Sequence, residues 1–179
     1  MRKFFYLLFL LSIGGGVLAQ STHEEIKSRL MSLSPLVGDW NTESRYESRT
    51  GKVSIEKGTA SISWALDSTY LKWTAETTNR ETGRQREYMS WITFDKERNA
   101  YRQTYMYSRS ANVIIEYGQW SPETRIFSTE VTLNLPDGTV EQLRNEIIFN
   151  ESDKLVYKSW AKFDDAQAVQ NYTSTMTRK

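Results

Sequence analysis

Two carboxylates in apolar-rich stretches, Glu116 and Glu146, and the tyrosine-rich run from Tyr101 to Tyr107 are the residues of this chain best suited to chemistry. A carboxylate pair can divide the acid and base roles of glycoside hydrolysis. Arg144, two residues from Glu146 on the same strand face, could neutralise it in a buried ion pair. The same three residues read equally well as outward charges. In the tyrosine run, Tyr101, Gln103, Tyr105 and Tyr107 fall at every second position, so a strand would put four polar-tipped side chains on one face. That composition is unlike a dry core and suits an amphipathic pocket, to which Tyr46 and Tyr88 would add. Core packing accounts for many of the 6 Trp and 10 Tyr residues. Aromatics on the outside would instead make a protein-binding surface.

What is missing narrows the chemistry further. The chain has no cysteine, which excludes a thiolate nucleophile, an iron–sulfur cluster and a zinc–thiolate site. Its single histidine, His23, lies before the first helical turn, where a solvated residue is the plain reading. A Ser-His-Asp triad then has no base, and a multi-histidine metal site cannot be built, so no metal is expected. Haem ligation through a tyrosine remains open; otherwise no cofactor is expected.

The elements that would hold these residues begin after a leader. Arg2-Lys3, the apolar run 4–13, Gly14-Gly15-Gly16 and Val17-Leu18-Ala19 have the order of a cleaved signal peptide. The run is short of the ~20 apolar residues of a membrane span. We expect cleavage after Ala19, a single mature domain over 20–179, and export to a periplasm or the outside, with no membrane segment remaining. Removing Arg2 and Lys3 from the 23 basic residues leaves 21 against 22 acidic ones, a net charge of about −1. This balance carries no electrostatic footprint for nucleic acid.

Thr22 and Glu25 fit a capping box, and Ile26, Leu30 and Leu33 recur on one helical face until Pro35 ends the helix. A helix this short is marginal alone, so its stripe should cover one mouth of whatever follows. From Gly38 onward about ten β-patterned runs alternate with turn signals. These include Leu66-Asp67-Ser68, Asn79 to Gly83, Asp95 to Asn99 and the hairpin signal Pro136-Asp137-Gly138. Leu71, Trp73 and Ala75 share a face, as do Phe127, Thr129, Val131, Leu133 and Leu135, and Leu155, Tyr157, Ser159, Ala161 and Phe163. One apolar and one wet face, with short turns throughout, predict an antiparallel up-and-down barrel, closed or nearly so; a sandwich is the alternative. Ten strands leave more room than side chains fill, so a cavity is expected.

The chain resembles the domain of unknown function 1579 family, a lipocalin-like (calycin) bacterial barrel family, over essentially its whole mature length. The resemblance is carried by Leu36-Val37-Gly38-Asp39-Trp40, Thr93-Phe94-Asp95 with Tyr101, Tyr117-Gly118-Gln119-Trp120, Glu146-Ile147-Ile148-Phe149 and Met176-Thr177-Arg178-Lys179. It implies a barrel end built from Gly38, Trp40 and Arg178, the last packing near the tryptophan. It brings no established activity. Tyr88, Ser90 and Thr93 stand where the family tends to have glycines, and Tyr105 and Tyr107 where it tends to have Trp and Asp, which puts bulk and hydroxyls at candidate cavity positions. The leading expectation is a non-enzymatic binder of a small apolar or amphipathic molecule. The alternatives are a filled barrel that docks on an envelope partner and a carboxylate-based hydrolase. The expected lining is Tyr46, Tyr88, Tyr101, Gln103, Tyr105, Tyr107, Glu116, Arg144 and Glu146.

Overall fold

The computed structural model describes residues 23–48, 50–108, 112–135, 138–151, 153–163 and 166–179. The leader 1–19, the capping residue Thr22 and the tip of the Pro136-Asp137-Gly138 turn therefore lie outside the described residues, apart from Gly138. Helix α1 (23–31) and a 3-10 turn (Ser34–Leu36) precede ten strands. These are β1 (Gly38–Glu47), β2 (Val53–Ala65), β3 (Tyr70–Asn79), β4 (Gln85–Asp95), β5 (Ala100–Tyr107), β6 (Ile114–Ser121), β7 (Ile126–Asn134), β8 (Val140–Glu151), β9 (Lys154–Phe163) and β10 (Val169–Arg178). Each strand pairs antiparallel with its sequence neighbours, and β1 pairs with β10, so the barrel is closed and up-and-down. Closure runs from Trp40 opposite Arg178 to Tyr46 opposite Tyr172. No edge remains to pair with another chain.

Alternation along the strands selects the inner face. On β1 the buried residues are Trp40, Thr42 and Ser44, and on β4 Ser90, Ile92 and Phe94 are buried. Outside, Trp91 lies edge-on to Tyr70 under Lys72, and Arg144 lies over Trp160.

The helix closes one mouth. Leu30, Leu33 and Leu36 are completely buried against a cluster that includes Trp40, Ile62, Leu71, Ile92, Phe127 and Ile147. Burying each leucine is worth roughly 1.5–3 kcal/mol, which a two-turn helix could not gain alone. Polar ties hold the helix in register. The Tyr101 hydroxyl donates to the Arg29 carbonyl at 2.8 Å, and Lys96 pairs with Glu25 at 2.6 Å. Asp67 accepts from Lys27 at 3.0 Å and lies 2.8 Å from His23 Nε2. These contacts hold its carboxyl below the usual aspartate range, the His23 contact contributing most. Asp67 sits in a turn where Leu66, Asp67 and Ser68 all have positive φ, 48°, 54° and 62°. Three non-glycine residues in that region carry strain, and the turn is held from both strands and from the helix.

The barrel end is completed at Gly38, Trp40 and Arg178. Trp40 donates from Nε1 to the Leu36 carbonyl at 3.0 Å, and the Arg178 guanidinium lies 4.4 Å from the centre of its ring. Arg178 also donates to the carbonyls of Val37 and Pro35. Gly38 has φ +146°, and a Cβ there would stand 2.4 Å from Arg178 Nη1, so the site admits only glycine without displacing the arginine.

Candidate functional site

Away from the helix the interior is neither dry nor full. A cavity of about 530 Å³ runs from Met176, Ala60 and Trp73 to the opposite rim, where Tyr46 and Tyr107 are 37% and 40% exposed. Between apolar floor and rim lies a girdle of polar residues. Thr42, Ser44, Ser90, Gln103, Glu116, Thr129, Asn145, Ser159 and Ser174 are all buried. Five aromatic rings stand over it in a chain. Tyr105 neighbours Tyr88 (5.8 Å between centroids), Tyr88 neighbours Trp73 (5.7 Å), Trp73 neighbours Tyr157 (6.4 Å), and Tyr157 neighbours Tyr172 (5.6 Å). All but the first pair are edge-to-face, the arrangement that ring quadrupoles favour.

The hydroxyls are ordered by the girdle. Gln103 Nε2 donates to the Tyr88 hydroxyl at 3.0 Å and to Ser90 Oγ at 3.1 Å, and the Tyr172 hydroxyl donates to Ser44 Oγ at 2.9 Å. Tyr105 donates to Glu116 Oε1 at 2.9 Å. Burial raises the pKa of Tyr88, Tyr105, Tyr157 and Tyr172, with the Glu116 charge adding to the first three. These side chains therefore act as neutral hydroxyls.

Glu116 is the more deeply buried of two interior carboxylates, at 1% exposure. Besides Tyr105, its carboxylate accepts from Asn145 Nδ2 at 2.8 Å and Thr129 Oγ1 at 2.6 Å. Burial raises its pKa and outweighs the lowering by these three donors. It lies behind Tyr105 and Asn145, which face the cavity, and so positions the lining without forming it. Nearer the rim, buried Glu56 accepts from Thr77 Oγ1 at 2.8 Å and pairs with Arg86 at 3.5 Å.

Of the residues expected to line a pocket, Tyr46, Tyr88, Tyr105 and Tyr107 do so. Gln103 and Glu116 are interior but one layer back. Tyr101 faces inward at the wrong height, at 5% exposure beneath the helix, with its ring edge-on to Phe94 and Phe127. Arg144 and Glu146 require correction. They pair with each other on the outer wall, Arg144 over Trp160 and Glu146 opposite Lys158, because the inward residues of β8 are Leu143, Asn145, Ile147 and Phe149. Glu116 and Glu146 thus stand on opposite faces of the sheet, and this pair does not form the two-carboxylate hydrolase geometry.

Among the described residues, four buried polar atoms have no protein hydrogen-bond partner: Thr42 Oγ1, Trp73 Nε1, Arg102 Nε and Asn171 Oδ1. Thr42, Trp73 and Asn171 line the cavity. Buried polar groups are nearly always paired, and three of these four unpaired atoms belong to residues that line the cavity.

The family described as "Protein of unknown function (DUF1579)" matches residues 27–178. The chain belongs to this family. A comparison with curated proteins finds no match. Among solved structures, the DUF1579 chain is similar to Rv2717c from M. tuberculosis, at 15% identity and a TM-score of 0.64, covering 84% of this chain and 97% of that one. It is also similar to the S-type phycobiliprotein lyase CPES from Guillardia theta, at 13% identity and a TM-score of 0.57, covering 82% and 89%. At these identities the likeness is one of fold. It agrees with the lipocalin-like barrel traced by the strand order.

Proposed function

We propose that this DUF1579 protein binds a small amphipathic molecule inside its barrel. The observation that carries the reading is the cavity itself: about 530 Å³, within the range of small-molecule sites, with three unpartnered polar side-chain atoms in an aromatic wall. Its apolar floor would take the body of the ligand, and the girdle would orient its polar groups. The similar phycobiliprotein lyase supports the barrel as a scaffold for this kind of use. The leader-like segment 1–19 supports export, placing the binding event in a periplasm or outside the cell.

The test is titration with phenylnaphthylamine, an uncharged amphipathic dye that brightens in apolar surroundings. The reading expects saturable uptake of one molecule per chain, with quenching of tryptophan emission because Trp73 lines the site. Dye emission that never saturates, or none at all, would count against an interior site.

A further inference from the structure

The charge inside the barrel is one-sided. Glu116 is hydrogen-bonded only by the neutral donors Tyr105, Thr129 and Asn145. Among the described residues, no Lys, Arg or His stands within ion-pair distance of it. Glu56 projects into the interior from β2, on the other side of the barrel by strand order. Arg86 is the one cation among the described lining residues; it is half exposed and already paired with Glu56. Two carboxylates, Glu116 and Glu56, therefore serve the interior against a single guanidinium.

The aromatic wall matches this field. Trp73 lies at 74° to Tyr88 and 84° to Tyr157, and Tyr157 at 76° to Tyr172. Near-perpendicular neighbouring planes make the sides of a box, not a stack, and a box of ring faces attracts a cation. The raised pKa values of Tyr88, Tyr105 and Tyr157 keep the box uncharged and have the Glu116 charge as one of their causes. Asn171 Oδ1 offers an unpartnered acceptor to an N–H group, and Trp73 Nε1 an unpartnered donor to an oxygen on the ligand body.

We propose that the ligand is an amphipathic cation, an ammonium on an apolar body, held by the rings of Trp73, Tyr88, Tyr105 and Tyr157 with the Glu116 carboxylate behind them. This rests on the interior-binding reading above and names its ligand class. An anionic ligand would enter the field of Glu116 and Glu56 with Arg86 already engaged.

The experiment displaces bound phenylnaphthylamine with three probes that share one body: phenylbutylamine, phenylbutanol and phenylbutyrate. The amine should bind roughly tenfold or more tighter than the acid, with the alcohol between them. In Glu116→Gln the amine-to-acid ratio should narrow toward unity. Because that variant could perturb folding, the ranking in the unmodified protein stands as the primary readout. Dye displacement by the acid at least as well as by the amine would overturn the cation proposal and leave interior binding intact. Saturable dye uptake with equal displacement by all three would overturn it as well. Failure of the dye itself to bind would instead remove the reading on which the proposal rests.

Discussion

Replacing Glu116 by glutamine separates the cost of burying a charge from the cost of burying a polar side chain. Glu116 is 1% exposed, and burial is the main cause of its raised pKa. The folded protein therefore holds this proton more tightly than the unfolded chain, whose value is near 4.5. The resulting stabilisation is fully present below about pH 4.5 and is lost as the pH rises through the folded pKa. Within that window one proton contributes a slope of at most about 1.4 kcal/mol per pH unit. Glutamine has nearly the same shape, still accepts from Tyr105 and Asn145 through its oxygen, and can donate to Thr129 if that hydroxyl turns round; it carries no slope. Wild-type stability minus that of E116Q should fall as pH rises from about 4.5 and then level off. Urea unfolding followed by tryptophan fluorescence measures it. Asp67, Asp95 and Glu43, whose pKa values are lowered, titrate in both proteins and cancel in the difference. A difference that is flat with pH, or that grows as pH rises, would refute the placement of Glu116 as a charge that burial destabilises.

Trp40→Ala removes a fully buried ring, its bond to Leu36 and the seat of Arg178, and should cost about 3–5 kcal/mol in chemical denaturation. Asp67→Asn weakens the ties to His23 and Lys27; hydrogen exchange should speed up in the helix while the strands stay protected. Those ties should also be lost in the wild type as pH falls through the depressed Asp67 pKa, because a lowered folded pKa stabilises only while the group is ionised. Ala75→Phe places a ring in the cavity beside Trp73 and Tyr88 and should abolish dye uptake while far-UV circular dichroism stays unchanged.

The barrel was legible because its information is local. Alternation on β3, β7 and β9 marks the inner face, and Leu66-Asp67-Ser68 and Gly138 sit at the turns their backbone angles require. The apolar repeat of Leu30 and Leu33 marks a covered mouth. The helix ends at residue 31, however, so Leu33 reaches the core from the turn after it, and Pro35 stands within the 3-10 turn and not at the helix end. What alternation cannot supply is height. Tyr101 and Tyr107 share one face of β5, yet one is sealed under the helix and the other stands at the open rim. Arg144 and Glu146 are hard to place from sequence because the polar half of β8 shows no contrast between faces. Counting back by twos from buried Ile147 and Phe149 would have turned Asn145 inward and both charges outward. Glu56 is hard to place for the opposite reason, being a charge at an inward position. Its parity with Ala60 and Ile62 carried the signal, but Arg86 meets it from β4, thirty residues on in sequence, and only the barrel brings them together. The Glu116 network likewise joins β5, β6, β7 and β8, a constellation that exists only once the strands are in register.

Native mass spectrometry of the protein purified from its own host, before and after unfolding, decides whether the barrel holds a small molecule. Interior binding predicts a mass excess on the folded protein that disappears on unfolding and matches an extractable compound. No excess, together with unchanged tryptophan fluorescence across a panel of lipids, amines and other metabolites, would contradict it.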